Sequence, residues 1–171
     1  MELNKEKMKE TIHYIISKCG FSGNLWRTTL YKILYFSDFD FYELYERPIT
    51  NEDYAKFPNG PLPTHFINIK NDLIKEEKIE ETYKYPFKGA YHKGYNYTPL
   101  SSPDIEFLTK KELEVIDSVI KKLRGMNTEQ ISHYSHGDMP WIVAENQEIM
   151  DYRYVFYRTD KYSVRKYNEK T

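Results

Sequence analysis

The segment RPITNEDYAKFPNGPLPTHF, residues 47–66, decides how the first half of this chain folds. Arg47-Pro48 ends the apolar helix predicted before it, because the residue that precedes a proline disfavours the α conformation. Residues 53–58 are then expected to form a short strand, with Tyr54 and Phe57 in or beside it. The segment therefore predicts that a helix gives way to extended structure within a few residues.

The second half of the segment, PNGPLP, predicts a stiff turn. Asn59 and Gly60 both tolerate positive φ, which is typical of turns. Pro61 and Pro63 suit the first turn of a helix, where their missing N–H groups would lack partners in any case. We therefore expect the turn to end a strand and to start a helix at a fixed angle.

The two segments that precede this connector predict helices. Apolar residues recur at helical spacing over residues 4–19, and Gly20 is expected to end that helix. Ser22 or Asn24 is expected to cap a second helix that runs to about Tyr45. The apolar face of this second helix is wide, which is typical of the central helix of a bundle.

Residues 79–98 change to a period of two and predict a β-hairpin with its tip near Gly89–Gly94. Its tyrosines are expected to pack the hairpin onto the helices. Lys84, Lys88 and Lys93 alternate with these aromatic residues, and no acidic residue lies between Thr82 and Thr98. Because such a pattern also suits single-stranded nucleic acid, a small RNA- or DNA-binding module stays an alternative.

The remaining elements are predicted from cap signals. Thr109 with Glu112 forms a capping box before an amphipathic helix. Asn127 with Gln130 begins a short helix, and Asp138 caps another whose first turn contains a proline. Residues 152–157 are expected to be a strand or a final helical turn.

The composition favours one domain of mainly α, α+β architecture. The chain has 171 residues, so we expect a bundle of about five to six helices with a small β-hairpin over residues 1–160, followed by a frayed basic tail at 161–171. Cys19 is the single cysteine, and no apolar run suggests a signal peptide or a membrane span. These features predict a cytoplasmic protein without contact to a membrane. The net charge of -1 argues against nucleic acid as the main partner.

The motif HYSHGD offers the strongest hint of chemistry in the chain. His133, His136 and Asp138 lie close together, but their spacing matches no established metal site. A helix C-terminus followed by an Asp cap explains the same residues, so we expect no metal and no cofactor. A small enzyme that uses His136 and Asp138 stays an alternative, although the sequence predicts no enzyme.

Two ordered blocks of the sequence resemble the Panacea domain, the SocA-like or GepA-like antitoxin family. The first block is LYKILYFSDFDFYELYERPITNEDYAKFPNGPLP, residues 30–63, and the second is LTKKELEVIDSVIKKLRGMNTEQISHYSHGDMPWIVA, residues 108–144. The matching positions, which the resemblance implies are scaffold, are Tyr35, Phe36, Pro48, Ile49, Gly60, Pro61, Pro63, Ser135, His136, Asp138 and Trp141. The chain departs from the family pattern at Asn59 and at Gly137.

The resemblance implies a mainly helical antitoxin that neutralises a cognate protein toxin, encoded nearby, by direct contact. Some members act instead as adaptors that deliver the toxin to a AAA+ protease, so such a protease is an alternative partner. Others carry an added DNA-binding domain, for which a chain of this length is not expected to have room.

We expect the toxin to contact the acidic end of the second helix and the connector after it. The candidate contact residues are Asp38, Asp40, Tyr42, Glu43, Tyr54, Lys56, Asn59 and His65. Many toxins that act on RNA are basic, and complementary charge steers association. Charge reversal at Asp38, Asp40 and Glu43 together should leave the melting temperature within a few degrees of the parent value, yet slow association with the toxin and abolish rescue of growth.

Overall fold

The longest helix, α2 (Arg27–Tyr45), occupies the centre of the fold and is buried along most of its length. The computed structural model describes residues 2–168. The other α-helices are α1 (Lys5–Cys19), α3 (Phe66–Lys75), α4 (Lys110–Leu123), α5 (Thr128–Ser135) and α6 (Met139–Val143). A 3-10 helix follows at Tyr152–Tyr157. The mainly α, α+β prediction is confirmed, with slightly more helices than expected.

The ends of α1 and α2 differ from the cap predictions. Asn4 caps α1, but Gly20 adopts a right-handed conformation instead of the left-handed one that usually ends a helix. Gly20 is needed for another reason, because a Cβ there would lie 2.7 Å from the carbonyl oxygen of Tyr97. Trp26 occupies the cap position of α2 without a side-chain hydrogen bond, so the predicted cap by Ser22 or Asn24 is wrong.

The connector after α2 contains a hairpin instead of a strand followed directly by a helix. Strand β1 (Tyr54–Phe57) is confirmed, but Gly60–Pro63 is its antiparallel partner β2, and α3 begins only at Phe66. The prediction that Pro61 and Pro63 open a helix is therefore wrong. A two-stranded sheet tolerates both prolines, because a strand without a second neighbour does not need every N–H group for pairing.

The second hairpin, β3 (Ile79–Lys84) with β4 (Gly94–Pro99), is confirmed. The capping boxes at Thr109 and Asn127 are both present, and Asp138 caps α6 through the N–H group of Met139. The three caps join residues one to three positions apart, whereas the β3–β4 pairing joins residues 10 to 20 positions apart.

The described part of the basic tail packs against the protein. Tyr162 is buried, and the backbone N–H groups of Val164 and Arg165 donate to the Glu43 carboxylate. The expectation of a frayed segment is therefore corrected as far as residue 168, while 169–171 and Met1 lie outside the described residues. The division into one domain over 1–160 stays a prediction.

Candidate functional site

The carboxylate of Asp38 is buried and holds the connector in place. It accepts hydrogen bonds from the backbone N–H groups of Ile49 and Thr50, both at 2.8 Å. The hydroxyls of Thr50 and Tyr54 also donate to it, at 2.6 and 2.7 Å. Burial raises the pKa of Asp38 to about 6, although these four hydrogen bonds favour the charged form. Asp38 therefore ties the end of α2 to the turn and to strand β1.

A second buried network surrounds Arg158, a residue to which no motif of the sequence assigns a role. The Arg158 guanidinium donates twice to Asp138, at 2.8 and 2.7 Å, and its Nη1 donates to Asp40 at 2.8 Å and to Glu43 at 3.1 Å. Burial opposes the charge of Arg158, but Asp40 and Asp138 raise its pKa well above the usual value. Burial also raises the pKa of Asp40 to about 6. One cation thus joins α2, the start of α6 and the C-terminal segment.

These two networks overturn half of the predicted toxin-contact face. Asp38, Asp40, Glu43 and Tyr54 are each at most 5% exposed and are bonded inside the protein. No local pattern in the sequence indicates that these acidic residues point inward. The donors to Asp38 lie 11 to 16 residues further along the chain, and Arg158, the partner of Asp40 and Glu43, lies more than a hundred residues away. Because these three carboxylates are bonded in the core, we expect their charge reversal to lower the melting temperature instead of leaving it within a few degrees.

Four of the predicted contact residues are half-buried or exposed: Tyr42, Lys56, Asn59 and His65. Asn59 is exposed at the turn between β1 and β2. The ring of His65 lies 2.6 Å from the buried carboxylate of Glu52. Lys56 donates to the carbonyl oxygen of Ala144 at 2.9 Å. A contact role for these four residues stays a prediction.

Within the HYSHGD motif, Asp138 is buried and His136 is half-buried, whereas His133 is exposed. Asp138 is fully buried, and both of its carboxylate oxygens are occupied, since the Tyr35 hydroxyl donates to it at 2.8 Å in addition to Arg158. His136 instead stacks on Trp141, with ring centroids 4.3 Å apart. His136 is not among the hydrogen-bond partners of Asp138 within the described residues. Across residues 2–168, no three or more His, Cys, Asp and Glu side chains are grouped as metal ligands would be.

The residues that carry the family resemblance are mostly interior. Nine of them are buried: Tyr35, Phe36, Pro48, Ile49, Gly60, Pro61, Pro63, Ser135 and Asp138. His136 and Trp141 are half-buried. This burial is what a scaffold role requires.

The base of the β3–β4 hairpin is anchored by a buried tyrosine. The hydroxyl of Tyr97 donates to Glu81 at 2.6 Å and accepts from Arg27 at 2.9 Å. The backbone N–H group of Tyr97 donates to the carbonyl oxygen of Leu25 at 3.0 Å. Lys70 reaches the same Glu81 carboxylate at 2.7 Å. These contacts fix the direction in which the hairpin leaves the body.

The outer part of the hairpin is exposed and basic. Tyr83 and Tyr85 are 56% and 53% exposed, Phe87 is 67% exposed and Tyr91 is 95% exposed. The expectation that the hairpin tyrosines pack on the helices is therefore right for Tyr97 and wrong for these residues. These exposed aromatic side chains and the lysines between them form one surface. We call it the aromatic hairpin, residues 82–98.

Two grooves continue this surface across the body of the protein. A groove of 200 Å³ lies between Trp26 and the hairpin residues 92–95. It shares Trp26 and Thr128 with a larger groove of 540 Å³, whose floor includes Leu25 and whose lining includes two cations. Those cations are Lys18 and Arg124. Among the described residues that line either groove, none is acidic.

No helix within residues 2–168 combines the length and apolar character that a bilayer crossing requires. Comparison with curated proteins finds no match, and comparison with solved structures finds none. A family model described as antitoxin SocA-like, Panacea domain, matches residues 30–142. The match covers well over half of the chain and contains the first of the two sequence blocks that carry the resemblance and all but the last two residues of the second. The chain therefore belongs to the SocA-like antitoxin family with the Panacea domain.

Proposed function

We propose that this protein is the antitoxin of a toxin–antitoxin pair and neutralises its toxin by stoichiometric protein–protein contact in the cytoplasm. The family match over residues 30–142 carries this proposal. The geometry supports it, because the grouped carboxylates and the His136–Asp138 pair serve packing, whereas a large aromatic surface is left exposed.

We assign the contact surface to the aromatic hairpin and the two grooves beside it. Exposed aromatic side chains in such number are uncommon on a protein that works alone, and aromatic residues are enriched at protein interfaces. The anchored Tyr97 holds the hairpin base before any partner arrives. Such preorganisation lowers the ordering cost of association.

The charge of this surface indicates an acidic patch on the toxin. Lys84, Lys88 and Lys93 lie on the hairpin, and Lys18 and Arg124 line the larger groove. Carboxylates on the partner would meet these cations, and an apolar side chain of the partner would fill the groove. This assignment reverses the charge complementarity expected from the sequence, since the acidic end of α2 is buried.

Charge reversal on the hairpin tests the assignment. The triple variant K84E/K88E/K93E should keep the melting temperature of the parent, slow toxin association at least tenfold and abolish rescue of growth from the toxin encoded nearby. The matched control reverses Lys110, Lys121 and Lys122, which are exposed on α4. The control should rescue growth like the parent. Full rescue by the hairpin variant at low expression would place the contact elsewhere.

Single-stranded nucleic acid is the second candidate partner, because the hairpin alternates lysines with exposed aromatic rings. Binding through phosphate contacts releases counterions, so affinity for a labelled oligonucleotide would fall steeply with salt. An antitoxin that acts by protein contact binds its purified toxin at one defined ratio and shows no such binding to RNA or DNA.

Occlusion and delivery to a AAA+ protease differ in the fate of the toxin. We propose occlusion, in which the half-life of the toxin in cells is unchanged or longer when the antitoxin is present. A half-life that shortens only in cells with the protease would assign the adaptor mechanism instead. A titration of toxin activity with purified antitoxin tests the enzyme alternative, which is excluded if neutralisation needs equal amounts of the two proteins.

A further inference from the structure

The larger of the two grooves beside the aromatic hairpin lies where four helix ends meet. Its volume is 540 Å³, and its lining comes from the end of α1, the start of α2, the end of α4 and the start of α5. Small-molecule sites in proteins are concave, measure about 300–1,000 Å³ and combine an apolar lining with a few polar groups. The size of this groove therefore fits a small molecule.

The floor of the groove is aliphatic. Five of the lining residues are at most 6% exposed and belong to the hydrophobic core as well: Leu25, Ile33, Ile120, Leu123 and Ile131. The apolar body of a ligand would thus rest on side chains that the core already holds in place.

The rim of the groove carries two positive charges and no negative one. Lys18 and Arg124 line the groove and are exposed, and none of the ion pairs within residues 2–168 includes either of them. Burial raises the pKa of Cys19, another lining residue, and the positive charge of Arg124 opposes this shift. Glu129, in the first turn of α5, lines a different groove. An anion in this groove would therefore meet only cations among the charged lining residues.

The helix ends leave the groove positive. The C-termini of α1 and α4 carry about half a negative charge each, and the full charges of Lys18 and Arg124 exceed this. Trp26 and Thr29 line the groove at the start of α2, which has no side-chain cap and no acidic residue in its first turn. The N-terminus of a helix carries partial positive charge and favours an anion. The groove thus combines an apolar floor with a positive rim.

Contacts within the protein fix the walls of the groove. The backbone N–H group of Tyr97 donates to the carbonyl oxygen of Leu25 at 3.0 Å, and the side-chain amide of Asn96 donates to the carbonyl oxygen of Gly23 at 2.8 Å. The capping box at Asn127 fixes the start of α5. Because the walls are already ordered, little conformational entropy is lost when a ligand binds.

We propose that this groove binds a small amphipathic carboxylate, with its apolar body on the aliphatic floor and its carboxylate at the rim formed by Lys18 and Arg124. Apolar surface gains free energy when it leaves water, and the planar guanidinium of Arg124 can donate two parallel hydrogen bonds to a carboxylate. The proposal concerns the protein without a partner. It does not rest on the antitoxin assignment, although the same groove belongs to the surface assigned to the toxin.

Octanoate is a suitable probe, because analogues with the same chain and a different head group are its controls. We would titrate the full chain with octanoate, 1-octanol and octylammonium, each below the concentration at which it aggregates, and follow binding by isothermal titration calorimetry at pH 7. We expect saturable binding of octanoate, binding of octanol that is at least tenfold weaker, and still weaker binding of octylammonium. This order isolates the effect of charge.

The two tryptophans of the chain locate the site, because Trp26 lines the groove and Trp141 does not. In protein labelled with ¹⁵N-tryptophan, the indole cross-peak of Trp26 should shift saturably with octanoate, while the cross-peak of Trp141 stays in place. A Trp26→Phe variant assigns the two cross-peaks.

Removal of the two rim charges tests their role. The double variant K18Q/R124Q should keep the melting temperature of the parent, bind octanoate at least tenfold more weakly and bind octanol like the parent. The matched control K121Q/K122Q removes two exposed lysines from the same end of α4 that do not line the groove, and it should bind octanoate like the parent.

Any one of four results would show that the proposal is wrong. Octanoate could fail to bind saturably, or octanol could bind as tightly as octanoate. The cross-peak of Trp26 could stay in place as octanoate binds, or K18Q/R124Q could bind octanoate as tightly as the parent.

Discussion

The Arg158 network predicts a large and specific loss of stability when its cation is removed. Arg158→Met keeps the apolar length of the side chain but removes four hydrogen bonds to Asp40, Glu43 and Asp138. Glu43 and Asp138 retain other donors, whereas Asp40 has no other bonded partner among the described residues. The variant therefore leaves at least one buried carboxylate without compensation.

Removing one partner of a buried ion pair costs about 3–5 kcal/mol, and we expect Arg158→Met to fall in this range at pH 7. For a urea m-value of about 2 kcal/mol/M, the midpoint of unfolding would shift downward by roughly 1.5–2.5 M. The assay is equilibrium urea unfolding followed by circular dichroism, with toxin absent. The loss should be smaller at pH 5, because burial already raises the pKa of Asp40 to about 6, and without Arg158 this carboxyl group takes up a proton more readily.

Two further variants test whether the loss of stability comes from the Arg158 network or would follow the removal of any arginine. Arg153 lies five residues earlier and pairs with Asp151 on the surface, so Arg153→Met should leave the midpoint unchanged. Adding Asp40→Asn to Arg158→Met should recover part of the loss, because the orphaned charge is then gone. Two results would refute the reasoning. One is an Arg158→Met protein whose free energy of unfolding lies within about 1 kcal/mol of the parent value, which is the typical net effect of a single hydrogen bond. The other is an equal loss of stability in Arg153→Met.

Three further predictions follow from the interior. Burial raises the pKa values of Asp38 and Asp40 in the folded protein to about 6, above the ordinary value of 3.8. Between these two values the folded protein binds more protons than the unfolded chain, so the free energy of unfolding should fall as the pH rises from 4 to 6. The fall should be shallower in Asp38→Asn, which has lost one of the two carboxyl groups. Gly60→Ala should lower the free energy of unfolding by about 1–3 kcal/mol, because the added methyl group would collide with the side chain of Lys32. Adding Lys32→Ala to the same chain should recover part of that loss, since the collision is then removed. Tyr97→Phe should cost about 1–3 kcal/mol in the same assay, because its buried hydroxyl joins two half-buried charged groups at the hairpin base. An unchanged free energy of unfolding would show that the hairpin is not anchored there.

The elements that the sequence determined are those set by near neighbours in the chain. The capping boxes at Thr109 and Asn127 and the cap at Asp138 involve residues one to three positions apart, and each is present. The 3.6-residue period of α1 and the two-residue period of the β3–β4 hairpin were also enough to place those elements. The two sequence blocks were enough to indicate the family.

Which polar side chains are exposed to solvent, and which are bonded inside the protein, follows only from the tertiary structure. Asp38, Asp40 and Glu43 lie among charged residues in the sequence and were predicted to face a partner, yet their donors come from the turn at 49–50, strand β1 and Arg158. A carboxylate is buried or exposed according to whether a distant cation or N–H group reaches it, and no local pattern encodes that encounter. The packing of distant segments also explains why the tyrosines at the hairpin tip are exposed and Tyr97 at its base is buried. It likewise encloses Lys32, which has no bonded partner among the described residues.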